Sequence, residues 1–277
     1  MDFASFSSLK VSQPTSPHIV ELELDHGKTN EMGRAQLSEI DKLAGWLHDA
    51  GDVRALITYS RKTSGKGTPI FQAGANVAER AGWGDDEVKR HVRWQREVLM
   101  SLRRVPLFHV IVVQGVAFGW GCEYTLCGDW VIATDTARFA LPETGLGIVP
   151  GAGGTSEMFE RIGSAHTLRL GMTGETIGPD EALRIGLVHE QLSDLDQALG
   201  RARAMAAAAA TRSPTANAHF KSGVLGAIGE TYHRRTEHEA IAYAHCVDAG
   251  EAALGRSHFD AILRGEPVPW GPRRGRI

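Results

Sequence analysis

LFHVIVVQGVAFGWGCEYTLCGDWVIATDTARFALPETGLGIVPGAGGT, residues 107–155, is the stretch on which the fold turns. Its first eight residues are nearly all apolar, the pattern of a strand covered on both faces and hence of a parallel, layered sheet. Glycines at 115, 119 and 121 then turn the chain into a helix carrying Glu123. Residues 130–134 read as the next strand and 138–141 as a short one. Pro142 fixes the backbone beside a second carboxylate, Glu143, and a further Gly-rich turn follows at 151–154.

Upstream, residues 18–25 alternate, with Val20, Leu22 and Leu24 on one face, as a half-buried strand does. A turn at 26–30 leads into a helix over 32–48, with Leu37, Ile40, Leu43 and Leu47 at helical spacing. Residues 53–59 form the next strand and 62–69 a polar loop. The run 71–76 (FQAGAN) offers small residues where backbone approaches a ligand closely. Asp85 or Asp86 caps a helix running to Arg104, and Pro106 ends it. Downstream, helical patterns fill 156–185 with a break at 174–179, and one strand lies at 187–192. Beyond Asp194 only helices are predicted: an Ala-rich one to Ala210, then 214–228, a long one over 230–255, and a last one over 258–263.

The chain has 277 residues, 23% of them charged, and a net charge of −3, which gives no bulk attraction to nucleic acid or anionic lipid. The basic stretch 272–276 is expected to be a solvated tail. Three cysteines (Cys122, Cys127 and Cys246) and the absence of a signal-peptide pattern predict reduced thiols in a cytoplasmic protein. No zinc site is expected from Cys122 and Cys127, and no metal from His233, His238 and His245, which do not share one helical face. The longest apolar runs fall short of the roughly 18 residues a membrane span needs, so no membrane partner is expected.

A Gly turn entering a helix leaves backbone N–H groups without intrahelical partners, and the helix dipole adds positive potential there. An anion forming on a substrate oxygen would be stabilised at that end. Glu123, in the first turn, would lie a few ångströms away. The FQAGAN loop could present a second N–H from the opposite wall. The Gly-rich turn at 151–154 lacks the pattern of a phosphate-cradling loop and reads as a plain turn.

Five stretches, in order, resemble the crotonase (enoyl-CoA hydratase/isomerase) superfamily: LDHGKTNEM (24–32), FQAGANVAE (71–79), VQGVAFGWGCEYTLCGDWVIAT (113–134), FALPETGLGIVPGAGGT (139–155) and TGETIGPDEALRIGLV (173–188). The resemblance implies an α/β fold, a spiral of ββα units over residues 1–200, followed by a C-terminal helical trimerisation region over 201–277. It implies that the N–H groups of Ala75 and Trp120 hold a thioester carbonyl. Glu123 and Glu143 match the two glutamates that hold the water added across an α,β double bond, and Gly151 a glycine whose N–H orients it. Lys28, Thr29 and Asn30, with Ala73 and Gly74, match segments that receive the adenine and pantetheine of coenzyme A. Lys221 is a candidate phosphate contact. The implied partner is an acyl-CoA thioester, with coenzyme A entering as part of the substrate and no separate cofactor, and the implied assembly is a homotrimer or homohexamer.

Both glutamates favour a hydratase over isomerases, which commonly manage with one; hydrolysis and decarboxylation use the same oxyanion hole. Which glutamate is acid and which base stays open in the sequence. Trp120 stands where the family usually has glycine, and Asn76 where it has aspartate. An indole beside the oxyanion hole should reshape the acyl pocket or be turned away from it. A non-catalytic acyl-CoA-binding subunit is the competing class; RNA binding would need a basic helix over 32–48, which carries only Arg34 and Lys42.

Overall fold

In the computed structural model, which describes residues 2–275, a 3₁₀ turn (Phe3–Ser5) precedes a first strand the sequence did not announce. This β1 (Leu9–Ser12) runs antiparallel to β2 (Ile19–Leu24), and α1 (Arg34–Asp49) returns the chain to β3 (Ala55–Tyr59). Three turns of one spiral follow, each placing a long strand, then a short strand, then a helix. They are β3, β4 (Ile70–Gln72) and α2 (Asp85–Arg103); β5 (Phe108–Val113), β6 (Val116–Phe118) and α3 (Trp120–Thr125); and β7 (Trp130–Thr134), β8 (Arg138–Ala140) and α4 (Ser156–Thr173). Next come α5 (Pro179–Arg184), β9 (Glu190–Leu192) and α6 (Leu195–Ala210). The long strands form a six-stranded sheet in the order β1-β2-β3-β5-β7-β9, parallel after its first pair. The short strands form a second, three-stranded sheet, β4-β6-β8, also parallel.

Burial on both sides of β5 explains its unbroken apolar run. Ile111 and Val113 join the larger core, with Leu22, Leu24, Leu37, Leu43 and Leu56. Val110 and Val112 face the other way, into a second core closed by Ala198, Leu199, Ala202 and Ala206 of α6. Small side chains on α6 let that helix lie close on the sheet. The division expected at 200–201 falls within α6, whose Ala198, Leu199, Ala202 and Ala206 side chains pack on the sheet.

The C-terminal layer comprises α7 (Pro214–Ala227), α8 (Tyr232–Asp248), α9 (Glu251–Ser257) and α10 (Phe259–Leu263). Residues 230–255 do not form one helix: Gly250, at φ +80°, breaks it between α8 and α9. At the start of α2, Gly84 is the cap, and Asp85, Asp86 and Glu87 instead complement the helix dipole in its first turn. The basic C-terminal stretch is not a solvated tail. Arg273 donates to the carbonyls of Pro106 and His48 and its amide to Gly51, while Arg274 donates to Ala249, strapping the helical layer to the spiral. Arg276 lies outside the described residues. Among those residues no helix is long and apolar enough to cross a membrane, and no cluster of His, Cys, Asp or Glu could hold a metal ion.

Candidate active site

All three strands of the small sheet run parallel, so their C-terminal ends converge on one edge. β4 delivers Ala73–Ala75, β6 delivers Gly119 and α3, and β8 delivers a 3₁₀ turn (Pro142–Leu146) carrying Glu143. Such an edge, outside the carboxyl ends of parallel strands, is where α/β folds place ligands.

Two backbone donors meet there. Ala75 pairs with Met32 as an isolated parallel bridge whose bonds are made by its neighbours, Met32 N to Gly74 O at 2.9 Å and Asn76 N to Met32 O at 2.8 Å. The Ala75 N–H is thereby left outside the bridge. Trp120 is the first residue of α3, where N–H groups have no intrahelical acceptor. Close contact between α3 and β4 depends on Gly121, where any Cβ would overlap the Gln72 carbonyl. The two donors sit on elements locked together at that point.

Glu123 is 4% exposed on an α3 that is buried along its whole length. Its Oε1 accepts the amides of Ala152 (2.7 Å) and Gly154 (2.9 Å), both from the turn before α4. Glu143 comes from the other side. A Cβ built on Gly119 would stand 2.7 Å from Glu143 Oε1, so this carboxyl lies directly against Gly119, whose carbonyl accepts the Glu123 amide. The two carboxyls lie about the first turn of α3, and after burial both push the neighbouring Cys122 thiol upward.

Burial also pushes both carboxyls up. Glu143 reaches about 7, through desolvation and then the charge of Glu123, and its Oε2 is buried without a partner. Glu123 is raised by burial and drawn back by its two amides and by Arg96. A carboxylate accepting backbone N–H groups is stabilised in its charged form, whereas one with an orphaned buried oxygen is not.

The implied water-orienting glycine, Gly151, is half-buried with its position packed on Val92 of α2, and its carbonyl accepts Arg96 Nε at 2.9 Å. Sequence reasoning missed Ala152, Gly154 and Arg96. The GAGGT run could have pointed to the first two, but nothing marks Arg96.

The turn at Lys28–Asn30 abuts the segment after β4, since the Ala73 amide donates to Thr29 O. Asn30, at φ +56°, is fully buried; its side chain donates to Leu24 O, Ser60 Oγ and Phe71 O and accepts the His26 amide. That side chain holds the turn from inside, whereas Lys28 is exposed and Thr29 half-buried. Lys221 lies elsewhere, bound to Asp129 and to Leu107 O, and is engaged in the protein's own packing. Trp120 is 3% exposed within the main core, its indole N–H without a partner. Cys127 is likewise buried, its thiol pushed up to about 12.

A profile of the family described as Enoyl-CoA hydratase/isomerase matches residues 52–260. An enoyl-CoA isomerase/hydratase of Zymoseptoria tritici is 31% identical over 201 residues, which is 70% of this chain and 64% of that protein's length, under two thirds of it. An enoyl-CoA hydratase from Bacillus anthracis superposes with a TM-score of 0.86 at 26% identity, covering 95% of this chain and 98% of that one. DspI of Pseudomonas aeruginosa superposes with a TM-score of 0.85 at 27% identity, covering 97% and 99%.

Proposed function

Since this chain belongs to the enoyl-CoA hydratase/isomerase family, within the crotonase superfamily, we propose that it adds water reversibly across the 2,3 double bond of an enoyl-CoA thioester. The observation that carries this reading is the pair Glu123 and Glu143 on either side of the first turn of α3, beside the free amides of Ala75 and Trp120. The amides polarise the thioester carbonyl, making Cβ electrophilic and stabilising the enolate that forms. Glu123, oriented by two amides that oppose the effect of its burial, takes a proton from water as the water oxygen bonds to Cβ. Glu143, protonated, gives its proton to Cα. The proton gained by Glu123 equals the one lost by Glu143, and exchange through solvent restores the pair. Lys28, Thr29, Ala73 and Gly74 would receive the coenzyme A portion. Absorbance loss of crotonyl-CoA tests the activity; no turnover with any enoyl-CoA would refute it.

A pH dependence follows. With Glu143 titrating at about 7, hydration requires its protonated form and should fall as pH rises through that value, approaching tenfold per pH unit. The reverse dehydration starts from the same pair with its single proton on Glu123 instead, so it should fall over the same window. Initial rates of both directions across neutral pH check this; hydration rising through that window would contradict the assignment.

Trp120 shapes the acyl end in this reading. Trp120→Gly keeps the backbone donor but empties a buried site, an expected cost of about 3–5 kcal/mol in denaturant unfolding. It should also shift acyl-chain preference toward bulkier groups. An unchanged preference across an enoyl-CoA series would remove Trp120 from the specificity account.

The assembly in this reading is a homotrimer or a dimer of trimers. Phe159, Leu168 and Met172 on α4 and Phe220, Tyr232 and Tyr243 on α7 and α8 are large, apolar and exposed in the single chain. Phe220, Tyr232 and Tyr243 line an α7–α8 groove of about 810 Å³. Sedimentation should give three or six copies, and a monomer would contradict it.

A further inference from the structure

Glu123 is held by a turn that is itself held from outside the site. Arg96, on an exposed face of α2, donates its Nε–H to the Gly151 carbonyl at 2.9 Å. That carbonyl and the Ala152 N–H belong to the same peptide group, and the Ala152 N–H donates to Glu123 Oε1 at 2.7 Å. The line from guanidinium to carboxylate thus crosses a single planar amide. A cation on the carbonyl end of a peptide polarises it and strengthens the N–H at the other end, and hydrogen bonds linked this way reinforce one another. The same contact fixes the turn that also presents Gly154 N at 2.9 Å.

We propose that Arg96 is a positioning residue that, through the Gly151–Ala152 peptide, keeps Glu123 oriented and biases it toward its charged form. This deepens the hydratase reading and rests on it for the consequence in turnover, but not for the electrostatic effect itself. The groups facing Glu123 are Arg96 from α2, Glu143 from the 3₁₀ turn, and the thiols of Cys122 and Cys127, both pushed far up by burial and so neutral. Arg96 is therefore the one cation among them that acts on Glu123. Its exposure on α2 means that its replacement removes little packing.

The test reads the carboxyl directly. Carbon-13-labelled glutamate places a carboxyl resonance on Glu123, assigned by its loss in Glu123→Gln. The titration is run in a Glu143→Gln background so that the midpoint belongs to one group and not to the coupled pair. Arg96→Met should move the Glu123 midpoint up by about one pH unit, the size of a lost charge-assisted interaction. Arg96→Lys should restore it in part, and Arg96→Gln, which keeps a donor without the charge, should fall between. In the otherwise native protein, Arg96→Met should lower kcat about tenfold with KM within about twofold, since the residue touches no substrate. A Glu123 midpoint that does not move in a cooperatively folded Arg96→Met or Arg96→Gln protein overturns the proposal. If the midpoint moves but the wild type hydrates no enoyl-CoA, the relay stands and the hydratase reading falls.

Discussion

Glu143→Gln should lower crotonyl-CoA hydration by about 10²- to 10⁴-fold, the range by which a positioned general acid contributes. Glutamine matches the shape of the protonated carboxyl but cannot release a proton to Cα. Glu143 takes no hydrogen bond from another residue's side chain or amide among the described residues, so the substitution leaves the fold intact. KM should change little. Glu123→Gln should produce a loss of similar size by a different route. Its remaining oxygen can still accept the amides of Ala152 and Gly154, so the turn survives while the base is gone. With both carboxyls serving one water, as proposed, the double variant should be scarcely slower than the poorer single one. Steady-state rates on all three proteins, with unfolding curves as a control, settle the matter. Full activity in either single variant would remove the paired-carboxylate chemistry.

Gly119→Ala should be nearly as damaging, although it removes no functional group. Gly119 sits at φ +51°, ψ −120°, a backbone conformation that costs an L-residue about 1–3 kcal/mol. The new methyl group would also stand 2.7 Å from Glu143 Oε1, so the carboxyl must move. Relaxing the turn would displace the Trp120 amide, and loss of one oxyanion donor costs about 10²- to 10³-fold in kcat. A drop of at least 10² in kcat is expected, with a measurable loss in denaturant midpoint. Gly145→Ala is the control, since nothing lies within 4 Å of its Cβ position in the same 3₁₀ turn. Its rate should stay within about twofold of wild type.

The long strands were legible in the sequence because burial on two faces writes itself as an apolar run: β5 was expected at 107–114 and β7 coincides with 130–134. The short strands β4 and β6 were not. Three residues carry no period, and Gly-rich flanks made Ile70–Gln72 and Val116–Phe118 read as loop and turn; only pairing with neighbours makes them strands. The helix expected over 230–255 ran straight through Gly250, since composition does not reveal φ. Glu123 and Glu143 stood out because glycine and proline punctuate the chain beside them. Arg96 did not, because α2 also carries Lys89, Arg90, Arg93 and Arg103, and one guanidinium aimed at a distant carbonyl looks like any other solvated charge. The basic tail misled for the same reason: Arg273 bonds carbonyls more than a hundred residues away, where local pattern carries no information.

The most direct measurement of the central claim is incubation of the protein with crotonyl-CoA in heavy-oxygen water, followed by mass spectrometry of the thioester. Two carboxylates and an oxyanion hole around one water predict a 3-hydroxyacyl-CoA carrying the label on its new hydroxyl, abolished by Glu123→Gln and Glu143→Gln. An unlabelled product with its double bond moved, release of free coenzyme A, or unreacted thioester would contradict it.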